Sequence, residues 1–414
     1  MENKVSFHFS PNTIWLVAGF VLLCCVYYFW GWSRVLGDFG GDNAFYLLIA
    51  QYFSPWETPS GVAAYFFSHN LYPPLYPLVI ALFGGGENLL AAHVITITLL
   101  LLAFIALYQW LNILGVEKAG AALITLLFAL LPGTYIHALS ILSENLFLLL
   151  TLICLASLSR FEADGRAGWL GLVVVSLAAA TLTRSAGIAL LAAFMLYLLV
   201  HRPIRGWPIL ALASMTPLIL WNVFNPSESP GYLGSLISKY ETDPFFTFFN
   251  HLKIESVLIA SGWVSNFTAS PIGIPVMAFA GLFVLMGMVQ RVREGKLDGY
   301  YAAIYLLLIL VWPYPAEVPR FVLVIIPVLL VQAWLLVDRF PRLKLSGRTL
   351  KVQYLLVFAI FLVVLPNLLL TVKRFDQDLP EDLLEYKRTR AWYVIDPGEA
   401  RVNIAFEKNL TEHL

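Results

Sequence analysis

Residues 14–32, IWLVAGFVLLCCVYYFWGW, run for nineteen positions without a charge, and GDFGGDNAFY follows at residues 37–46. A helix needs about 20 apolar residues to cross the hydrocarbon core of a bilayer. This run is too long for the core of a signal peptide, and no small-residue cleavage site follows it. It reads as a retained span. The segment after it sets two carboxylates, Asp38 and Asp42, beside the membrane. An ionised group that enters hydrocarbon is costly and is usually kept for function.

The rest of the chain agrees. Soluble domains carry about 25% charged residues, whereas this chain of 414 residues has 13% charged and 59% hydrophobic residues. Only a bilayer hides an apolar excess of that size. The formal net charge is zero, which removes the basic signature of nucleic-acid binding. Cys24, Cys25 and Cys154 all lie in apolar runs, with neither metal-ligand spacing nor a disulfide pattern.

The length rule predicts about eleven transmembrane helices, at 14–32, 89–111, 119–136, 143–159, 169–182, 187–200, 207–224, 272–289, 300–312, 321–337 and 354–372. Lysine and arginine set the orientation. With a cytoplasmic N-terminus, the inside loops hold Lys118, Arg160, Arg166, Arg202, Arg205, Arg291, Arg293, Lys296, Arg339, Arg342, Lys344, Arg348 and Lys351. The outside loops before the tail hold Arg34, Lys239, Lys253 and Arg320, with Arg184 near a helix end. Residues 1–372 therefore form one membrane domain. An odd number of spans puts the short tail, residues 373–414, outside, although its basic residues pull mildly the other way.

Two outside segments are too long to be turns. Residues 33–88 contain NLYPPLYP at 70–77 and then an apolar stretch at 78–83 too short to span, which reads as a helix lying in the interface. Residues 225–271 contain FFTFF at 245–249, a second candidate for dipping into the interface. Loops of this length are usually functional or disordered, and these are too aromatic for disorder. The chain has no internal repeat, low-complexity tract or Gly-rich phosphate loop.

One topology gathers the polar groups at the outer face. Asp38 and Asp42 lie in the first loop. Ser143-Glu144-Asn145 opens the fourth span, Thr183-Arg184-Ser185 closes the fifth, and Glu317-Val318-Pro319-Arg320-Phe321 opens the tenth. His69, Tyr72 and His137 adjoin them. A carboxylate at this height can take a proton from an acceptor hydroxyl or amine. Arginines can hold a phosphate through paired hydrogen bonds. A lipid-linked phosphate would place its headgroup here and its tail in the bilayer. Each residue also has a plainer reading: Asp42 as the cap of a loop or an interfacial helix, Asp38 as a turn residue, and Glu144 at a helix N-terminus where the dipole favours negative charge. Arg184 and Arg320 would then snorkel from helix ends, Glu317 would pair with Arg320, and His69 and His137 would be structural. Trp15, Trp32 and Trp207 fit belt anchors.

In their order these motifs resemble the polyprenyl-phosphate-sugar-dependent glycosyltransferases of the GT-C class. The similar groups are the protein O-mannosyltransferases and the lipid A aminoarabinose transferases of glycosyltransferase family 39 and its relatives. Those enzymes have an acid in the first external loop followed four residues later by tyrosine, here Asp42 and Tyr46. A Pro-rich stretch then leads into an interfacial helix, here Tyr72-Pro73-Pro74-Leu75-Tyr76-Pro77. An acid opens the fourth span (Glu144), a basic residue follows the fifth (Arg184), and an arginine-aromatic pair with a nearby proline opens a late span (Arg320, Phe321 and Pro327). The resemblance covers most of residues 14–340.

It implies an all-α GT-C fold with interfacial helices in the first external loop. It also implies transfer of a sugar from a polyprenyl-phosphate donor to a lipid, glycan or protein acceptor at the external face of the plasma (inner) membrane. Asp42 would be the general base of a single inverting displacement. Arg320 and Arg184 would hold the donor phosphate, and Glu144, Tyr46, Glu317, Tyr72 and His69 would line the substrate site. No metal ligand is assigned, and a divalent metal is left open. The second acid that many relatives carry beside the first is Asn43 here, which counts against a metal bridge through such a pair. The rivals are a transporter or lipid flippase, a non-catalytic subunit of a polysaccharide-assembly complex, and a polymerase- or ligase-type enzyme using an oligosaccharide-diphosphate donor. Transporters place ionisable groups at mid-membrane in repeated, broken helices, and the charges here gather at one face.

Overall fold

A computed structural model of the chain describes residues 11–30, 42–56, 58–69, 72–86, 88–200, 206–225, 234, 237, 244–340, 343–345 and 348–375. The architecture is all-helical, with one small hairpin. Helix α1 (Pro11–Trp30) precedes three short helices, α2 (Asp42–Phe53), α3 (Gly61–Ser68) and α4 (Leu75–Leu82). Then come α5 (Leu89–Ile113), the pair α6 (Lys118–Ala129) and α7 (Pro132–Ala138), α8 (Glu144–Asp164), α9 (Ala167–Thr183), α10 (Gly187–Val200) and α11 (Trp207–Phe224). The last part comprises α12 (Pro244–Phe267), α13 (Gly273–Arg293), α14 (Leu297–Leu310), α15 (Val318–Val337), the strands β1 (Leu343–Leu345) and β2 (Arg348–Leu350), and α16 (Val352–Phe375). The strands pair antiparallel with Leu343 opposite Leu350.

Local chemistry sets the helix boundaries. Asn88 caps α5 by accepting from the backbone N–H groups of Leu90 and Ala91, and Ser60 caps α3 through Ala63 N–H. Such caps satisfy donors that the first helical turn leaves open. Gly165 closes α8 in the left-handed region, φ 69°, where glycine carries no Cβ penalty.

All eleven predicted runs are helical. Among the described residues, five helices are long and apolar enough to cross a membrane: Leu89–Ile113, Glu144–Asp164, Gly273–Arg293, Val318–Val337 and Val352–Val372. The α6–α7 pair, bent by 65°, makes a sixth if it counts as one span. The other five positions hold shorter apolar helices. The second long loop departs from the sequence reading, because α12 fills much of it with 24 helical residues. His251, Lys253, Glu255 and Asn266 interrupt its apolar character, so no hydropathy rule marks it as a span.

The interior forms around α15, whose apolar window is 89% buried against 28% for α13 and 22% for α16. Helices α12, α13 and α14 pack on it, and α8 lies between α5 and α9. Exposed Leu282, Leu285, Phe358 and Leu362 lie on the two peripheral helices, as expected of surfaces that face lipid. At 1.5 Å per residue, the 20 residues of α15 extend about 30 Å, the thickness of the hydrocarbon core. The helix is thus long enough to reach from one interface to the other.

Candidate active site

Four helix ends bring the site together. Asp42 opens α2, Glu144 opens α8, Arg184 follows α9, and Arg320 lies in the first turn of α15. Arg184 owes its place to a tight corner: its N–H closes α9 on Ala180 O, and the Gly187 N–H then bonds Arg184 O. A Cβ on Gly187 would come within 2.7 Å of the Ala180 carbonyl oxygen and Thr181 Cα, so only glycine lets α10 turn back so closely. On the other side, a Cβ on Gly262 of α12 would come within 2.8 Å of Pro319 Cα. Asn266, one turn on, donates to the Pro319 carbonyl at 3.0 Å. These contacts hold the start of α15, and so Arg320, against α12.

The side chains form one buried ion cluster. Arg320 Nη2 lies 2.5 Å from Asp42 Oδ2 and 3.3 Å from Glu317 Oε1, while its Nε lies 3.6 Å from Glu144 Oε1. Arg184 Nη1 pairs with Glu144 Oε1 at 2.6 Å and donates to Ser143 Oγ at 3.2 Å. The Tyr72 hydroxyl donates to Asp42 Oδ1 at 2.6 Å. The Tyr46 hydroxyl and Ser143 Oγ are 2.7 Å apart, linking α2 to the start of α8. Asp42 and Arg320 are each 4% exposed and Glu144 2%. Buried charges this far from water need partners, and each of them has one. Phe321 lies between the two guanidiniums, 4.7 Å from Arg184 Cζ and 5.2 Å from Arg320 Cζ, where its ring face favours cations. Burial pushes the Glu317 carboxyl above its usual range; Arg320 opposes that shift and Asp42 adds to it.

Asn43 has a structural task. Its Oδ1 accepts the Ile141 N–H at 2.7 Å, which ties the first turn of α2 to the connection between α7 and α8. Tyr46 packs against the rings of Tyr72 and Tyr76, with centroids 5.0 Å away in each case. The aromatic stretch 72–77 therefore builds a wall beside Asp42.

Of the residues expected from the sequence, Asp42, Tyr46, Tyr72, Glu144, Arg184, Glu317 and Arg320 meet in this cluster. His69 is exposed at the end of α3, its Nδ1 within 3.0 Å of Tyr65 O and its ring stacked on Tyr65. His137 is buried, with Nδ1 3.0 Å from Gly133 O in its own helix. The expected Asp38 and the tail beyond residue 375 lie outside the described residues. Ser143 and Phe321 sit in the quoted motifs, but their bridging roles have no sequence signal. A buried pair on α12, His251 and Glu255 at 3.7 Å, also went unread; their spacing of four residues on one helix face was the available signal. Among the described residues, no group of three His, Cys, Asp or Glu side chains is placed to hold a metal ion.

A separate cluster marks the other end of the bundle. Arg291 makes a two-point pair with Asp298 at 2.8 and 2.7 Å, Gln332 donates to the Asp298 carbonyl at 2.9 Å, and Arg339 meets Glu294 at 2.6 Å. This end joins α13, α14 and the C-terminal part of α15, at rises from Arg320 of about 18 Å for Gln332 and about 28 Å for Arg339.

No known family profile matches the chain, and no curated protein sequence matches it. Solved structures do. ArnT from Cupriavidus metallidurans, in the apo state, aligns over 97% of this chain and 73% of its own, with a TM-score of 0.56 at 18% identity. The same protein bound to undecaprenyl phosphate aligns over 97% and 72%, with a TM-score of 0.57 at 18% identity. The fold is that of a GT-C glycosyltransferase. In this GT-C fold the cluster of Asp42, Glu144, Arg184 and Arg320 collects at a single end of the helix bundle.

Proposed function

We propose that the chain is a membrane glycosyltransferase that moves a sugar from a polyprenyl-phosphate donor to an acceptor at the external face of the membrane. The observation that carries this reading is the meeting of Asp42 with Arg320, from positions 278 residues apart in sequence, at 2.5 Å in a GT-C fold. The ArnT structure bound to undecaprenyl phosphate supports a lipid-phosphate donor. In this reading the acceptor's proton passes to Asp42, and its oxygen or nitrogen bonds the anomeric carbon. The bond from that carbon to the phosphate oxygen breaks, and polyprenyl phosphate leaves with the electron pair. Arg320 and Arg184 steady the leaving phosphate by charge and hydrogen bonds. Glu144 holds both arginines in place, and Tyr72 orients Asp42. In this reading no second carboxylate among the described residues acts as a nucleophile, so the displacement is direct and inverts the anomeric centre. The N-terminus and the basic loops lie on the cytoplasmic side, and residues 1–372 form the catalytic domain.

The test is Asp42→Asn, assayed with a polyprenyl-phosphate sugar in proteoliposomes. Loss of a general base costs on the order of 10²–10⁴-fold in turnover. Full turnover in the folded variant would reject Asp42 as the base.

A further inference from the structure

We propose that Arg320 serves two anions in turn, Asp42 and the donor's phosphate, so that Asp42 is released as a base only once the donor is seated. The inference rests on the glycosyl-transfer reading above and specifies the order of events within it.

Both oxygens of Asp42 are occupied. Oδ1 accepts from the Tyr72 hydroxyl at 2.6 Å and Oδ2 faces Arg320 Nη2 at 2.5 Å. With a donor seated on each oxygen, an acceptor's proton has no direct approach to the carboxylate. One of the two donors must leave, and Arg320 is the one that a phosphate attracts. Its planar guanidinium suits paired bonding to phosphate oxygens, and its Nη2 is already divided between Asp42 and Glu317 at 3.3 Å.

Charge balance points the same way. Among the described residues the cluster sets three carboxylates, Asp42, Glu144 and Glu317, against two guanidiniums, Arg184 and Arg320. A donor phosphodiester adds a fourth anion in a buried setting where uncompensated charge is costly. Transfer leaves the total unchanged and relocates one charge. Asp42 gains the acceptor's proton and loses its negative charge, while the leaving phosphate changes from a singly charged diester to a monoester that carries one charge more. Negative charge thus moves from Asp42 to the phosphate as the glycosyl bond breaks. Arg320, already drawn from Asp42 to the phosphate when the donor seats, is in place to meet that charge. The enzyme is then donor-first, and the unloaded protein holds its own base inactive.

The test measures binding of undecaprenyl phosphate to the full chain in nanodiscs, for wild type, Asp42→Asn and Glu317→Gln. If Asp42 competes for Arg320, removing its charge frees the arginine, and Asp42→Asn binds the lipid roughly tenfold more tightly while losing turnover. Glu317→Gln, which removes the more distant competitor, gives a smaller gain. Equal or weaker binding by a folded Asp42→Asn variant overturns the inference and leaves the glycosyltransferase reading intact. Absence of lipid binding by the wild type overturns both. Asp42→Asn leaves two carboxylates against two guanidiniums, so the cluster stays balanced. Should that variant still fail to fold, unchanged or weaker binding by Glu317→Gln overturns the inference.

Discussion

At the residue scale, the site is a set of charges whose net balance matters as much as any one pair. Glu317 carries the surplus. It is the most exposed of the three carboxylates, with 30% of its side chain accessible, and burial raises its pKa in spite of Arg320. A carboxyl with a raised folded-state pKa binds its proton more tightly in the native state than in the unfolded chain, so it weakens folding as pH climbs above the ordinary carboxylate range. Glu317→Gln is therefore expected to raise the thermal midpoint in detergent at neutral pH and to leave it unchanged in acid, below the unfolded carboxyl's pKa. A fall in midpoint at neutral pH would show that the Arg320 pair outweighs the burial cost. Asn43 shows the limit of reading residues by type. It sits directly beside the candidate base, yet its amide oxygen is spent on the Ile141 N–H.

At the scale of elements, the site depends on how closely helices approach. Arg320 is set by the start of α15, and α15 is set by Gly262 of α12. An added methyl at Gly262 would lie 2.8 Å from backbone, closer than packing allows, so α12 and α15 must separate. Overpacking of this kind costs about 1–3 kcal/mol. Gly262→Ala is expected to lower the unfolding midpoint and to cut transfer as Arg320 shifts. Gly171→Ala in α9 is the matched control. A Cβ there meets nothing within 4 Å, and alanine is the better helix former by about 1 kcal/mol. Circular-dichroism melts of the two variants check the contrast; equal destabilisation would remove the packing argument.

At the scale of the molecule, the two ion clusters define opposite faces. The Arg320 end carries Tyr314, 38% exposed, and the Arg339 end carries Phe340, 40% exposed. If the Arg320 end faces outward, Tyr314→Cys in intact cells reacts with a membrane-impermeant maleimide, and Phe340→Cys reacts only after permeabilisation. Cys24, Cys25 and Cys154 are replaced by serine or alanine in both variants. The reverse pattern would invert the topology and place the site on the cytoplasmic side.

Much of this was legible before any coordinates. Apolar runs of about 20 residues admit few environments besides a bilayer, so the membrane class and the positions of the eleven helical runs follow from composition and spacing. The placement of Glu144, Arg184 and Arg320 at helix ends follows as well, because charges interrupt apolar runs where those runs stop; Asp42 reads as a residue of the first loop, and the helix it opens is a finding of the structure. Periodicity could not reveal α12, whose polar residues mask a long helix, or the burial of α15, since a helix facing lipid and a helix facing protein are equally apolar. Nor could it pair Arg320 with Asp42. Those outcomes depend on which helix ends meet in space, and that is decided by close packing at sites such as Gly187 and Gly262, where a single carbon atom would hold two backbones apart.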